Sequence, residues 1–256
     1  MLAIVVAYHK NDNEEYLMKF MEMLESVQFN GFEENIFITL DGAEPSYIQS
    51  VIEKYKILPQ NIIFSIENVG NYCLKFRLLE IIKNKYKFVK FCDFDDKSCS
   101  YKKLLRIIKL YEQYDLIVCR SSKWSVFVNY WEKIFSVKLL RSIPKFKCFT
   151  GGDVIICWMS FYECFKNNWQ FVFCGEQIYY KNKIASRTCR ESTPDKYLKL
   201  ETESNEIKNI LFYANTIESK HIYEKSSNIL DIDFNALIKT INLNDFITRL
   251  MLHYKF

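Results

Sequence analysis

The chain has 256 residues, 49% of them hydrophobic and 26% charged, which suits one large domain with a substantial core and excludes a disordered polymer. A net charge of only +4, with no long Lys/Arg block, argues against a nucleic-acid binder and leaves anionic small substrates or a membrane surface as partners. Nine cysteines at irregular spacing, without a CxxC pair, exclude a zinc ribbon or a thioredoxin-like site and read as reduced thiols of a cytosolic protein.

Residues 2–8 form a short, apolar, β-branched run of the kind found in buried parallel strands, too short and too poor in basic residues for a signal peptide. Residues 14–27 carry helical spacing through Tyr16, Leu17, Phe20, Met23 and Leu24. A second strand is expected over 35–40, ending at Asp41-Gly42, and a helix over 45–55 with Ile48, Val51, Ile52 and Tyr55 on one face. A strand over 62–66, a helix over 71–83 and a strand over 88–92 follow, the last stopping at an acidic cluster. A helix over 101–111 and a strand over 115–119 come next. Residues 120–150 read as irregular and basic-aromatic, 161–168 as helix, 171–173 as a short strand and 183–205 as a polar loop. Regular alternation of strand and helix implies βαβ units and a mainly parallel sheet, whose ligand site lies at the carboxyl ends of its strands. Three polar stops fall there: Tyr8-His9, Asp41-Gly42 and Asp93-Phe94-Asp95-Asp96.

Three carboxylates within four residues repel one another unless a cation or protons neutralise them. In extended backbone Asp93 and Asp95 point to the same side, so the pair can hold Mg²⁺ or Mn²⁺ and leave positions for phosphate oxygens. An EF-hand loop fits poorly, because Lys97, Ser98 and Leu104 occupy positions where a ligand, a glycine and the bidentate Glu are needed. A solvated turn, with Asp96 capping the helix near Tyr101, stays open as the structural alternative.

Phe91-Cys92-Asp93-Phe94-Asp95-Asp96 resembles the hhDxDD strand end of family-2 glycosyltransferases with the GT-A fold. Asn68-Val69-Gly70-Asn71 followed by Lys75 resembles the family's N-x-G with a basic residue. Asp41-Gly42-Ala43 resembles its D-D-G-S, with Leu40 in place of the first Asp, and Val6-Ala7-Tyr8-His9 resembles its P-x-Y-N without Pro and Asn. Phe149-Thr150-Gly151-Gly152-Asp153 and Gly175-Glu176-Gln177 resemble the acceptor-side G-G turn and the G-E-D motif. The resemblance covers roughly residues 1 to 185, in order, and each motif alone is degenerate.

The resemblance implies an α/β GT-A fold: a mainly parallel mixed sheet flanked by helices, in a catalytic domain over 1–205, with a helical C-terminal extension over 206–256. It implies an enzyme moving a sugar from a nucleotide-sugar donor, most readily a UDP-sugar, to a glycan or lipid-linked glycan acceptor, with Mn²⁺ or Mg²⁺ as cofactor. Asp95 would be the direct metal ligand, with Asp93 and Asp96 around it. Ala7, Tyr8, Asp41, Asn68, Lys75, Asp93 and Phe94 would line the donor pocket, and Arg187 and Arg190 would close over the diphosphate. Gly151 and Gly152 would lie on the acceptor side. An inverting reaction needs a base, and Gln177 stands where the family carries a carboxylate, which leaves Glu176 or Asp153 for that role.

Each residue also has a plainer reading. Tyr8 can pack at a strand end, Asp41 can make an Asp-Gly turn, Lys75 can be a solvated helix charge, and Glu176 a surface charge. Asn68 and Gly70 can serve the loop backbone alone, and His221 is a lone histidine of the kind that is usually structural. Residues 246–256 carry Phe246, Leu250 and Tyr254 on one helical face with Arg249, His253 and Lys255, which suits docking on the domain or peripheral membrane contact from the cytoplasm. A sugar-phosphate nucleotidyltransferase fits less well, because residues 8–14 lack Gly and Arg. A non-catalytic nucleotide- or sugar-binding homologue rests on Gln177 alone.

Overall fold

The computed structural model describes residues 1–9, 14–67, 69, 71–119, 130–143, 156–157, 160, 163–164 and 167–180. Asn68, Gly70, Gly151, Gly152, Asp153, Arg187, Arg190, His221 and the expected helical extension over 206–256 lie outside them.

Alternation of strand and helix runs as the sequence predicts. β1 (Leu2–His9), α1 (Glu14–Val27), β2 (Ile36–Asp41), α2 (Gln49–Tyr55), β3 (Ile62–Ser65), α3 (Asn71–Ile82) and β4 (Phe88–Asp93) follow in order. The helix expected over 45–55 is in two parts, a 3₁₀ turn at Pro45–Ile48 and then α2, because Pro45 at the start lacks an N–H and favours a tight opening turn. Beyond β4 come β5 (Lys97–Ser98), α4 (Tyr101–Leu110), β6 (Leu116–Val118), β7 (Lys133–Ser136), α5 (Val137–Ser142), β8 (Phe171–Phe173) and β9 (Tyr179–Tyr180).

Seven strands form one sheet in the order β3-β2-β1-β4-β7-β6-β8. β3, β2, β1 and β4 are mutually parallel. β7 runs antiparallel to both β4 and β6, and β6 is parallel to β8. The chain lays down β1, β2 and β3 toward one edge, then returns to place β4 on the other side of β1. The strand order therefore reverses between β1 and β4, the kind of switch point outside whose carboxyl ends open α/β sheets bind their ligands.

Helices cover both faces, so the central strands are buried up to His9 at the end of β1. Leu2, Ile4, Val6 and Tyr8 of β1 pack in one layer with Phe20, Met23, Leu24 and Val27 of α1 and with Tyr101, Leu104, Ile107 and Ile108 of α4. Ala3, Val5 and Ala7 face the opposite layer, as the two-residue repeat of a strand requires, and there α3 crosses β1, β2 and β3 and meets α5. α4 is amphipathic and is started by Ser100, whose side chain accepts the Lys103 N–H at 3.4 Å. The cap is thus Ser100, not Asp96. Tyr101 donates its hydroxyl to the Leu2 carbonyl at 2.8 Å, tying α4 to the first residue of β1.

Residues 130–142, expected to be irregular, are ordered as a 3₁₀ turn at Tyr130–Glu132, β7 and α5. α5 is capped by Ser136, whose hydroxyl accepts the Leu139 N–H at 3.1 Å. Among the described cysteines, six of the seven (Cys92, Cys99, Cys119, Cys157, Cys164 and Cys174) are buried, and the Cys174 thiol lies 3.4 Å from that of Cys119. No helix among the described residues is long and apolar enough to cross a membrane.

Candidate functional site

Strand register brings the three polar stops together. His9 pairs with Asp41, Asp41 with Ser65, and Ala7 with Asp93, so the ends of β1, β2, β3 and β4 form one rim. Asp41 is buried, and its Oδ1 accepts the Val69 N–H at 2.9 Å, fastening the segment that leads into α3. Gly42 follows with φ +78°, a left-handed conformation that only glycine adopts without strain, and its N–H donates to the Ser65 carbonyl at 2.8 Å. The Asp-Gly turn and the buried carboxylate are therefore one device.

Beyond Asp93 the backbone turns at once. The Phe94 N–H donates to the Ala7 carbonyl at 3.2 Å, extending the β1–β4 ladder by one bond, and the Asp96 N–H reaches back to the Asp93 carbonyl at 3.4 Å. The exit is pinned from two sides. Ser98 donates its N–H to Ser26 Oγ at the end of α1 at 2.9 Å, and Cys99 donates to the Ile178 carbonyl at 3.0 Å. β5 then pairs with β9, which sets Gly175-Glu176-Gln177 close in topology to the acidic turn.

The four residues of that turn have different surroundings. Asp93 and Asp95 are half-buried, whereas Phe94 and Asp96 are buried. Phe94 packs edge-on against Tyr8 and His9, with ring centroids 4.8 and 5.0 Å away, and against Tyr16 at 5.6 Å. Its ring belongs to the core. Among the described residues no three His, Cys, Asp or Glu side chains converge as a metal cage, so Asp93, Asp95 and Asp96 are not gathered as a three-ligand set. The half-buried pair Asp93 and Asp95 still offers the hard oxygen donors that Mg²⁺ or Mn²⁺ takes when diphosphate and water complete its shell.

Tyr8 is likewise fully buried, not exposed to a pocket. Its hydroxyl makes no hydrogen bond of good geometry among the described residues and lies beside the Tyr47 phenol. Burial first, and then that neighbour, push its pKa well up. Ala7 is buried under the rim.

Lys75 on α3 is buried, where the sequence suggested a pocket-lining or a solvated charge. Its Nζ donates to the Tyr130 hydroxyl at 2.8 Å and lies 4.0 Å from the Tyr130 ring centroid and 5.4 Å from that of Phe91. Tyr130 in turn donates its hydroxyl to Asp93 Oδ1. Sequence reasoning missed Tyr130. It lies 37 residues from Asp93, within a stretch whose elements are too short to show a period, and no local signal marks it.

Glu176 pairs with Lys103 at 2.8 Å and with Arg106 at 3.8 Å, both on α4, while the Lys103 ammonium also reaches the Gln177 carbonyl at 3.1 Å. The hydrogen bond from Lys103 and its charge, with Arg106 behind them, hold the Glu176 carboxyl below the usual carboxylate range. Such a group is ionised but weakly basic, and its partners fasten the segment after β8 to α4. Gln177 donates Nε2 to the Tyr179 carbonyl at 3.3 Å.

No protein-family model and no curated protein sequence matches the chain. In three dimensions it is similar to S. aureus TarS 1–349 in complex with UDP-GlcNAc, with 15% identity over 83% of this chain and 66% of that one and a TM-score of 0.57. It is also similar to the same TarS fragment alone, with 16% identity, 71% and 60% coverage and a TM-score of 0.52. For that fragment in complex with UDP the values are 16%, 70%, 60% and 0.51. The chain spans about three fifths to two thirds of the length of these TarS fragments. A likeness at this identity is one of fold, and together with the strand order it establishes that the described residues adopt the GT-A fold, a mixed, mostly parallel sheet between two helical layers.

Proposed function

We propose that the chain is a glycosyltransferase that binds a nucleotide-sugar, most readily a UDP-sugar, and transfers a hexosyl group with inversion to a hydroxyl of a glycan or lipid-linked glycan. The observation that carries this reading is the place of the Asp93–Asp96 turn: it stands at the switch-point crevice between β1 and β4, one strand from the buried Asp41. The UDP-GlcNAc and UDP complexes of TarS, on the same fold, support a uridine-diphosphate donor.

In this reading Asp41 accepts a base N–H while its Oδ1 keeps the Val69 segment in place. Asp95, with Asp93 beside it, would hold Mn²⁺ or Mg²⁺, whose chemistry there is neutralisation of the charge that develops on the leaving diphosphate. Arg187 and Arg190 would contact the same phosphates. The base is Glu176 or Asp153, and the ion pairs of Glu176 favour a role in holding its segment. Gly151 and Gly152 would border the acceptor. The same reading places the work in surface glycan synthesis at the cytoplasmic face of a membrane, with 246–256 as the peripheral contact.

The test is titration calorimetry of the full chain with UDP-, GDP- and dTDP-sugars, with Mn²⁺ or with a chelator. Metal-dependent UDP-sugar binding that Asp95→Ala abolishes supports the reading. Binding indifferent to both chelation and that substitution refutes it. Transfer rates of Glu176→Gln and Asp153→Asn then assign the base, since only the true base variant loses transfer while keeping donor affinity.

A further inference from the structure

A buried lysine ammonium needs hydrogen-bond acceptors and a counter-charge, because an uncompensated charge in a dry interior is costly. Lys75 has aromatic faces on two sides, and its bond to Tyr130 leads to Asp93. The tyrosine hydroxyl accepts from the ammonium and donates to the carboxylate, so it connects the two charges across the crevice wall. Tyr130 is itself held: its ring stacks edge-on with Phe91 at 5.6 Å and Trp131 at 5.2 Å, and it begins the 3₁₀ turn that leads into β7, the strand paired with β4.

We propose that Tyr130 is a positioning residue for donor binding: Lys75, through the Tyr130 hydroxyl, holds the Asp93 carboxylate by its Oδ1 and so sets the orientation in which that carboxylate meets the donor–metal complex. This deepens the nucleotide-sugar reading and rests on it. Two consequences separate it from the simpler view in which Lys75 touches the diphosphate. With one lone pair of Oδ1 taken by Tyr130, the Asp93 carboxylate is held in one orientation and Oδ2 is its less encumbered oxygen. Lys75 affects the donor only by way of Tyr130, so the two side chains act in series.

The experiment is calorimetry of UDP with Mn²⁺ on the full-length wild type, Tyr130→Phe, Lys75→Met and the double variant, with thermal melts of each. Tyr130→Phe keeps the ring packing and removes one hydroxyl. Because that hydroxyl serves a charged partner on each side, UDP·Mn²⁺ affinity should fall by about tenfold or more. Lys75→Met should weaken binding in the wild type and have little further effect in the Tyr130→Phe background, since residues in one chain of contacts are not additive. Tyr86→Phe is the control: it removes the half-buried bond to the Glu34 carbonyl at 2.8 Å, away from the rim, and should lower the melting temperature without changing affinity. Affinity of Tyr130→Phe within twofold of wild type, or fully additive losses in the double variant, overturns the relay. If Lys75→Met does not fold, Tyr130→Phe alone decides. Wild type that fails to bind UDP with Mn²⁺ overturns the donor reading together with the relay, whereas wild-type binding with an unchanged Tyr130→Phe overturns only the relay.

Discussion

Asp41→Ala tests whether the second strand's end is a structural tether as well as part of the site. The carboxylate is buried, and its Oδ1 accepts the Val69 N–H at 2.9 Å. A hydrogen bond to a charged group contributes roughly 1.5–3 kcal/mol, so loss of this bond should destabilise the fold by about 2 kcal/mol. For a chain of this size that corresponds to a fall of roughly 4–8 °C in melting temperature. Asp41→Asn retains an acceptor oxygen but not the charge, and should lose about half as much. Calorimetric or fluorescence melts of the three proteins give the series directly, and UDP titration of each reports the binding consequence. The expected order is wild type, Asn, Ala in both measurements. An alanine variant that melts within a degree of wild type would show that the Val69 segment is held by other contacts, and the account of this rim would fail.

Three further outcomes are expected. Glu176→Gln should remove an acid-sensitive part of stability. Lys103 lowers the folded pKa of Glu176 from the usual 4.5, so its ion pairing contributes fully above that value and is lost as the pH falls through the lowered one. Urea midpoints taken between neutral and acid pH should therefore differ between wild type and variant only above that window, and a difference that persists in acid would contradict the pairing. Tyr8→Phe should leave UDP affinity unchanged and stability equal or slightly higher, because the hydroxyl is buried without a well-formed bond; a marked loss of affinity would mean that Tyr8 reaches the donor after all. Tyr101→Phe should lower the melting temperature by about 2–8 °C, since the bond to the Leu2 carbonyl accounts for about 1–2 kcal/mol, without changing donor affinity.

Much of this arrangement is legible in the sequence because its signals are local. A β-branched run such as 2–8 is apolar on both faces only if helices cover both sides, and the spacing of Phe20, Met23, Leu24 and Val27 specifies one buried stripe. Asp41-Gly42 and the acidic turn stand at strand ends, where the backbone changes direction, so their placement on a common rim follows once the strands are parallel. Residues 130–142 were not legible for a physical reason. β7 is four residues long and carries a buried lysine, Lys133, at its start, so neither alternation nor apolar length marks it, and pairing with β4 and β6 supplies its stability.

The direction in which each side chain points was decided by packing. Phe94 and Tyr8 sit within the aligned motifs, yet both rings turn into the aromatic layer against α1, because burying a large ring there outweighs presenting it to solvent. Glu176 is the carboxylate next to Gln177, which stands where the family carries its own, and tertiary contact with α4 gives it two cationic partners. The alternation of elements, the parallel half of the sheet and the row of polar strand ends were readable from the chain, because all depend on residue periodicity and turn chemistry within a dozen positions. That Lys75 meets Asp93 through Tyr130 emerges from packing, because the contact joins α3, β4 and the turn before β7 across long sequence separations, where no pattern in the chain records which side chains will touch.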